Sequence, residues 1–204
     1  MIRTLLALVA ALALATPALA DDSAGIALGS PAPLSDVKMK SVDGREYTLA
    51  SVAGKKGTLV VFTCNTCPWA QAWQTRIAAI GNEAVQRGFG VVAINANDPA
   101  VNAGDDFPAM VARAKKLGLK FPYLVDASSD VARAFGATRT PEAYLFDAQG
   151  KLVYHGTVDD NGRDPGAVKE RWLQDAVIAV AAGHAVPTAE TKAMGCSIKF
   201  RTKA

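Results

Sequence analysis

Two cysteines three residues apart, Cys64 and Cys67, lie in the run Thr58-Leu59-Val60-Val61-Phe62-Thr63-Cys64-Asn65-Thr66-Cys67-Pro68-Trp69. Thiols at i and i+3 can close a small disulfide ring. A low-pKa thiol beside a resolving thiol is what disulfide exchange requires. The other uses of such a pair are half of a zinc site or a structural disulfide. Zinc needs a second pair of ligands, and the chain offers one more cysteine, Cys196, and two histidines, His155 and His184. Those histidines with Cys64 and Cys67 define a non-enzyme alternative, a copper-binding or interaction module.

The elements around the pair can be read from periodicity. Leu59 to Phe62 are apolar and mostly β-branched or aromatic, a run too short for a helix and suited to a central strand covered on both sides. From Asn65 the period changes, and Ala70, Trp73, Ile77, Ile80 and Ala84 recur at helical spacing as far as Gly88. This predicts Cys64 at a helix N-terminus, where free N–H groups and the dipole lower a thiol pKa from about 8.5. Cys64 is therefore expected to be the more acidic, more accessible, attacking thiol and Cys67 the resolving one. Trp73 is expected in the core; Trp69, beside the pair, is either part of a partner-docking surface or simple packing.

The rest of the chain alternates strands and helices. Val37–Val42 and Tyr47–Leu49 flank an Asp43-Gly44 hairpin turn. Phe89–Asn95 and Phe121–Val125 read as strands, 107–117 and 129–135 as helices closed by Gly118 and Gly136. Another strand runs to Phe146, turns at Ala148-Gln149-Gly150-Lys151, and returns as Leu152–Gly156. Asp159-Asp160-Asn161-Gly162 reads as a solvated loop. Val168–Ala182 reads as a final helix that Pro187 ends. The alternation in the middle predicts a mainly parallel sheet covered on both faces, to which the late hairpin adds antiparallel strands, in one mixed α/β domain.

Residues 1–20 have a basic start at Arg3, an apolar core from Leu5 to Ala15 and an Ala18-Leu19-Ala20 cleavage site, which predicts a signal peptide and a periplasmic or secreted protein. No stable membrane insertion is expected after cleavage. The domain is expected over 21–186, with a basic tail over 187–204 carrying Cys196 among Lys192, Lys199, Arg201 and Lys203. The net charge of +3 comes from dispersed Lys and Arg with no basic aromatic face, so nucleic acid is not an expected partner. Three cysteines in an exported chain leave one over. Cys196 is a second redox thiol, a small buried apolar group, or the link of a disulfide dimer.

Taken together, Gly29-Ser30-Pro31-Ala32-Pro33, the Asp43-Gly44 hairpin, Val60-Val61-Phe62-Thr63-Cys64-Asn65-Thr66-Cys67-Pro68 and Thr140-Pro141 with Leu145-Phe146-Asp147-Ala148-Gln149-Gly150-Lys151 resemble the thioredoxin-like fold in its redoxin branch. That branch comprises the alkyl hydroperoxide reductase/thiol-specific antioxidant family and related secreted thiol–disulfide oxidoreductases. The resemblance spans roughly Gly29 to Ala182. It implies a central mixed sheet flanked by helices, with an N-terminal β-hairpin extension. It also implies a cis Thr140–Pro141 bond facing the cysteines, with Thr140 and Pro141 shaping the groove and Pro141 keeping metals off the thiols. No cofactor is implied. The implied partners are protein thiols and disulfides, with a membrane-bound electron donor.

The chain departs from the family in ways that bear on mechanism. The peroxidase pattern Pro-x-x-x-Thr-x-x-Cys is not met at Cys67: Val60 stands at the Pro position and Cys64 replaces the Thr. The family's peroxide-polarising Arg falls near Pro141, with Arg139 two residues away. Thioredoxin's buried acid position is Thr58, and the Glu of haem-maturation relatives is Ala70. Glu142 remains the candidate proton-transfer group, or else a surface carboxylate. Peroxiredoxin-like thiol peroxidase activity is the alternative enzyme reading.

Overall fold

The computed structural model describes residues 25–202. The predicted signal peptide and the last two residues of the tail lie outside them.

The strands are β1 (Met39–Ser41), β2 (Glu46–Tyr47), β3 (Gly57–Phe62), β4 (Gly90–Asn95), β5 (Tyr123–Val125), β6 (Arg139–Thr140), β7 (Glu142–Asp147), β8 (Leu152–Gly156) and β9 (Cys196–Ser197). Seven of them form one sheet in the order β2-β1-β5-β4-β3-β7-β8, and β6 pairs with β9 apart from it. Only β3–β4 and β4–β5 are parallel. The sheet is mixed, as expected: β7–β8 add antiparallel strands beside β3, and the hairpin strand β1 also joins β5 antiparallel.

β3 and β4 are central, and alternate residues feed two cores. Leu59, Val61, Val91 and Ala93 pack with Trp73 and Ile77 of α1 (Pro68–Gln86), Met110 of α2 (Phe107–Leu117) and Leu173 and Val177 of α4 (Trp172–Ala182). Val60, Phe62, Val92 and Ile94 pack on the other face with Val131 and Phe135 of α3 (Asp130–Phe135). A strand covered on both sides has no polar face to show, which is why β3 reads as an unbroken apolar run.

Local signals set several helix ends. Asp106 caps α2, its Oδ1 accepting the Ala109 N–H at 2.8 Å, and Gly118 closes it at φ 60°. The final helix is shorter than its composition suggests. A 3-10 turn occupies 165–167, α4 begins at Trp172 rather than Val168, and Gly183 at φ 77° ends it before Pro187. The loop before it is not solvated throughout. Asp159 is buried, accepts the Trp73 indole N–H at 2.7 Å and pairs with Arg76, tying the loop to α1.

Candidate active site

α1 begins at Pro68, where a missing N–H costs nothing, and Cys67 is its N-cap residue. The helix therefore starts four residues beyond Cys64, and the stabilisation expected there for Cys64 falls to Cys67 instead. The Cys67 Sγ lies 3.2 Å from the Thr140 carbonyl oxygen and receives the Cys196 N–H at 3.4 Å. The Cys64 Sγ is 3.2 Å from the Thr140 hydroxyl. Thr140 thus touches both sulfurs. All three cysteines are free thiols, and Cys64 and Cys67 are each only 4% exposed. An exposed Cys64 was expected; the proline loop and the tail close over both.

The donors around Cys67 decide which thiol is acidic. A hydrogen bond from Cys64, then donation from Cys196 and the Ala70 N–H, outweigh burial and hold Cys67 down to about 4. The same hydrogen bond from the other side, burial, and the negative charge of Asp105 push Cys64 up, with the Thr140 hydroxyl opposing. Of the two thiols, Cys67 is shifted toward the thiolate and Cys64 away from it.

The dipeptide between the cysteines is fastened to a distant loop. Asp105, 2% exposed, accepts the Asn65 N–H at 2.6 Å, the Thr66 hydroxyl at 2.7 Å and the Asn97 amide at 2.9 Å. Gln71 and Arg113 donate to the Asn65 carbonyl at 2.8 and 2.7 Å. Tyr123 donates to its side-chain oxygen at 3.2 Å. The Asn65 side-chain amide donates to the Gly104 carbonyl at 3.0 Å, so every polar group of Asn65 is engaged, which gives that residue type its reason. The sequence reading missed Asp105. Its one local signal is that Asp105-Asp106 precedes the Phe107-Pro108 helix start, and that signal explains only the cap at Asp106.

The proline loop faces the pair from the other side. The Thr140–Pro141 bond is cis. Glu142, 3% exposed, is not a surface carboxylate. Its Oε2 accepts the Thr138 and Arg139 N–H groups at 2.9 Å each, and its Oε1 accepts the Tyr144 hydroxyl at 3.0 Å and His155 Nε2 at 2.7 Å. These bonds turn it toward the loop backbone and His155, not toward a sulfur. Burial pushes its carboxyl up, but donation from His155, Arg139 and Thr138 prevails and the net shift is downward. Arg139 is exposed.

Trp69 is half-buried, stacked on Trp73 at 5.5 Å, and packs against the cysteines. The two histidines are not brought to the thiols. His155 is held by Glu142, while exposed His184 lines a cavity with Lys55, Lys56 and Asp147 beyond the start of β3. Among the described residues no cluster of His, Cys, Asp or Glu is suited to a metal ion, so the copper ligand set is not assembled.

The tail supplies the third thiol. β9 pairs antiparallel with β6, placing Cys196 opposite Thr140. Ile198 is buried and its N–H reaches the Thr138 carbonyl at 2.9 Å, while Met194 and Phe200 stay exposed.

The sequence model of the Redoxin family matches residues 27–170, more than half of the chain. The chain belongs to the Redoxin family. Among its relatives, the thiol-disulfide oxidoreductase ResA of Geobacillus thermodenitrificans (strain NG80-2) is 28% identical over 134 residues, 64% of this chain and 70% of that one. An uncharacterized conserved protein from Geobacillus kaustophilus has a crystal structure similar to this redoxin. It is 34% identical with a TM-score of 0.81, covering 87% of this chain and 94% of the other. A secreted Mycobacterium tuberculosis disulfide oxidoreductase homologous to Escherichia coli DsbE shares the fold, at 19% identity and TM-score 0.51, over 72% of this chain and 95% of its own. The thioredoxin-like, redoxin-branch architecture expected from the motifs is the one this chain has.

Proposed function

We propose that this redoxin is an exported thiol–disulfide oxidoreductase that exchanges its Cys64/Cys67 pair with disulfides or thiols of partner proteins. The observation that carries the reading is the placement of both sulfurs on Thr140, with Cys67 at the α1 N-cap and at about 4. The Cys67 thiolate attacks a partner disulfide, one partner sulfur leaves as a thiol, and a mixed disulfide remains on Cys67. Cys64 then attacks the Cys67 sulfur, releases the second partner thiol and closes the Cys64–Cys67 disulfide. This reverses the order expected from sequence, because the helix starts at Pro68. The same steps run backward with a reduced partner. Pro141 and Thr140 shape the groove, and Trp69 lines its rim.

Export rests on residues 1–20, and the membrane-bound electron donor on the resemblance to secreted members of the branch. Among the described residues no helix is long and apolar enough to cross a membrane.

Insulin reduction and equilibration with glutathione buffers test the reading. Wild type should do both, and the midpoint fixes whether it works as reductant or oxidant. Cys67→Ser should lose insulin reduction by at least about a hundredfold. A wild-type protein inert in both assays would overturn it. Burial of the thiols favours one second reading, thiol peroxidase, since a small oxidant reaches a buried thiol more readily than a protein does. Peroxide consumption, passing through a Cys67 sulfenic acid, separates the two.

A further inference from the structure

The exchange mechanism uses two thiols, and the structure brings a third to the same sulfur. The approach of Cys196 is built, not incidental. Its N–H points at the Cys67 Sγ at 3.4 Å. The Cys196 thiol is one of the groups that hold the Cys67 thiol down, as Cys64 is from its own side. The three sulfur residues and Ala70 form one cluster with Trp69.

The tail is fastened on both sides of Cys196. Upstream, the Thr157 N–H donates to the Thr191 hydroxyl at 3.0 Å. Downstream, the Lys199 N–H donates to Asn97 Oδ1 at 2.8 Å, the Asp98 N–H to the Lys199 carbonyl at 2.6 Å, and the Arg201 N–H to the Ser129 hydroxyl at 3.0 Å. Between these anchors Gly195 lies so close to the proline loop that a Cβ there would meet the Thr140 carbonyl oxygen at 2.1 Å. Only a residue without a side chain lets the following cysteine come this near. Cys196 itself is half-buried, unlike the other two thiols.

We propose that Cys196 is a third exchange thiol whose target is the Cys67 sulfur, so that the oxidised protein partitions between a Cys64–Cys67 and a Cys67–Cys196 disulfide. The proposal rests on the exchange reading above for the first disulfide. The Cys196 thiolate attacks Cys67, the Cys67–Cys196 bond forms and the Cys64–Cys67 bond breaks. Cys64 leaves as a thiolate and takes up the proton that Cys196 gave up. The step is an isomerisation, so no electrons enter or leave. Its product pins β9 covalently over the site and returns Cys64 to the thiol state.

The test is disulfide mapping. The full mature chain is oxidised with glutathione disulfide, quenched with acid, alkylated with N-ethylmaleimide and digested with trypsin. Cys64 and Cys67 share one tryptic peptide and Cys196 lies on another, so the two disulfides are told apart directly. Wild type should yield both. Cys64→Ser, checked for fold by circular dichroism, should yield the intramolecular Cys67–Cys196 link. Adding Gly195→Ala to that variant should cut the link at least about tenfold by pushing the tail off Thr140 without removing either remaining thiol. Cys196 recovered only alkylated or glutathionylated, in wild type and in Cys64→Ser alike, overturns the proposal. So does a link whose yield Gly195→Ala leaves unchanged. Absence of the Cys64–Cys67 disulfide from wild type, with no insulin reduction, instead counts against the exchange reading, and Cys64→Ser still reports on Cys196.

Discussion

Asp105 lies under the loop that carries the cysteines, and Glu142 lies behind the loop that carries Pro141. Both carboxylates are buried, at 2% and 3% exposure. Each is saturated with donors: Asn65, Thr66 and Asn97 for Asp105, and Thr138, Arg139, Tyr144 and His155 for Glu142. Asp105 takes one backbone N–H of its loop and Glu142 takes two, and each so fixes that loop to the body. The difference lies in charge. Asp105 has only neutral donors, and its charge acts on Cys64. Glu142 shares a short bond with a half-buried histidine, and it is not among the leading influences on either thiol. One wall of the site positions and tunes; the other positions alone.

That contrast can be broken by substitution. The largest effect is expected from Asp105→Ala, which strands two buried donors and the part-buried Thr66 hydroxyl: a loss of about 3 kcal/mol in urea unfolding. Asp105→Asn keeps the shape and removes the charge. It should lower the Cys64 thiol pKa, read from the pH dependence of alkylation of Cys64 in a Cys67→Ser background. An unchanged Cys64 profile would show that Asp105 positions without tuning. In the wild type, Cys67 should retain thiolate absorbance near 240 nm well below neutral pH, because its value is held at about 4.

Glu142→Gln should cost less, about 2 kcal/mol, because an amide sets its own donor against one of those it must accept. Its signature is in the acid limb. The carboxyl is held below its ordinary value in the folded state. Its contribution is therefore complete above the unfolded-state value and is lost as pH falls through the folded one. Glu142→Gln should flatten that part of the stability profile and leave both thiol titrations unmoved. A shift in either thiol would erase the distinction between the two walls. The smallest effect is expected from His155→Phe, which keeps the ring stacked on Tyr144 at 4.4 Å and removes only the bond to Glu142. We expect about 1 kcal/mol, with the Glu142 acid transition moved to higher pH.

Much of this site is legible in the chain because its signals are local. The apolar run at Leu59–Phe62, the helical spacing from Ala70, the Asp43-Gly44 turn and the Gly118 and Gly136 stops each act over a few residues, and they reappear as β3, α1, the β1–β2 hairpin and the ends of α2 and α3. The start of α1 was misjudged by local reasoning too. Pro68 is a first-turn residue, and giving it that place would have moved the N-cap from Cys64 to Cys67.

The sequence by itself determined the Cys64/Cys67 pair, the strand and helix that carry it, and the order of elements that makes a redoxin. Those follow from periodicity and from turn chemistry, which neighbouring residues enforce without help. Tertiary structure alone decided that Asp105 lies under Asn65 from 40 residues away and that Glu142 turns inward to His155. It also decided that Cys196, 129 residues from Cys67, ends beside it. A carboxylate or a thiol carries no periodicity of its own. Its role is set by which donors the sheet order brings within 3 to 3.5 Å of it, and that order is fixed only when both cores close.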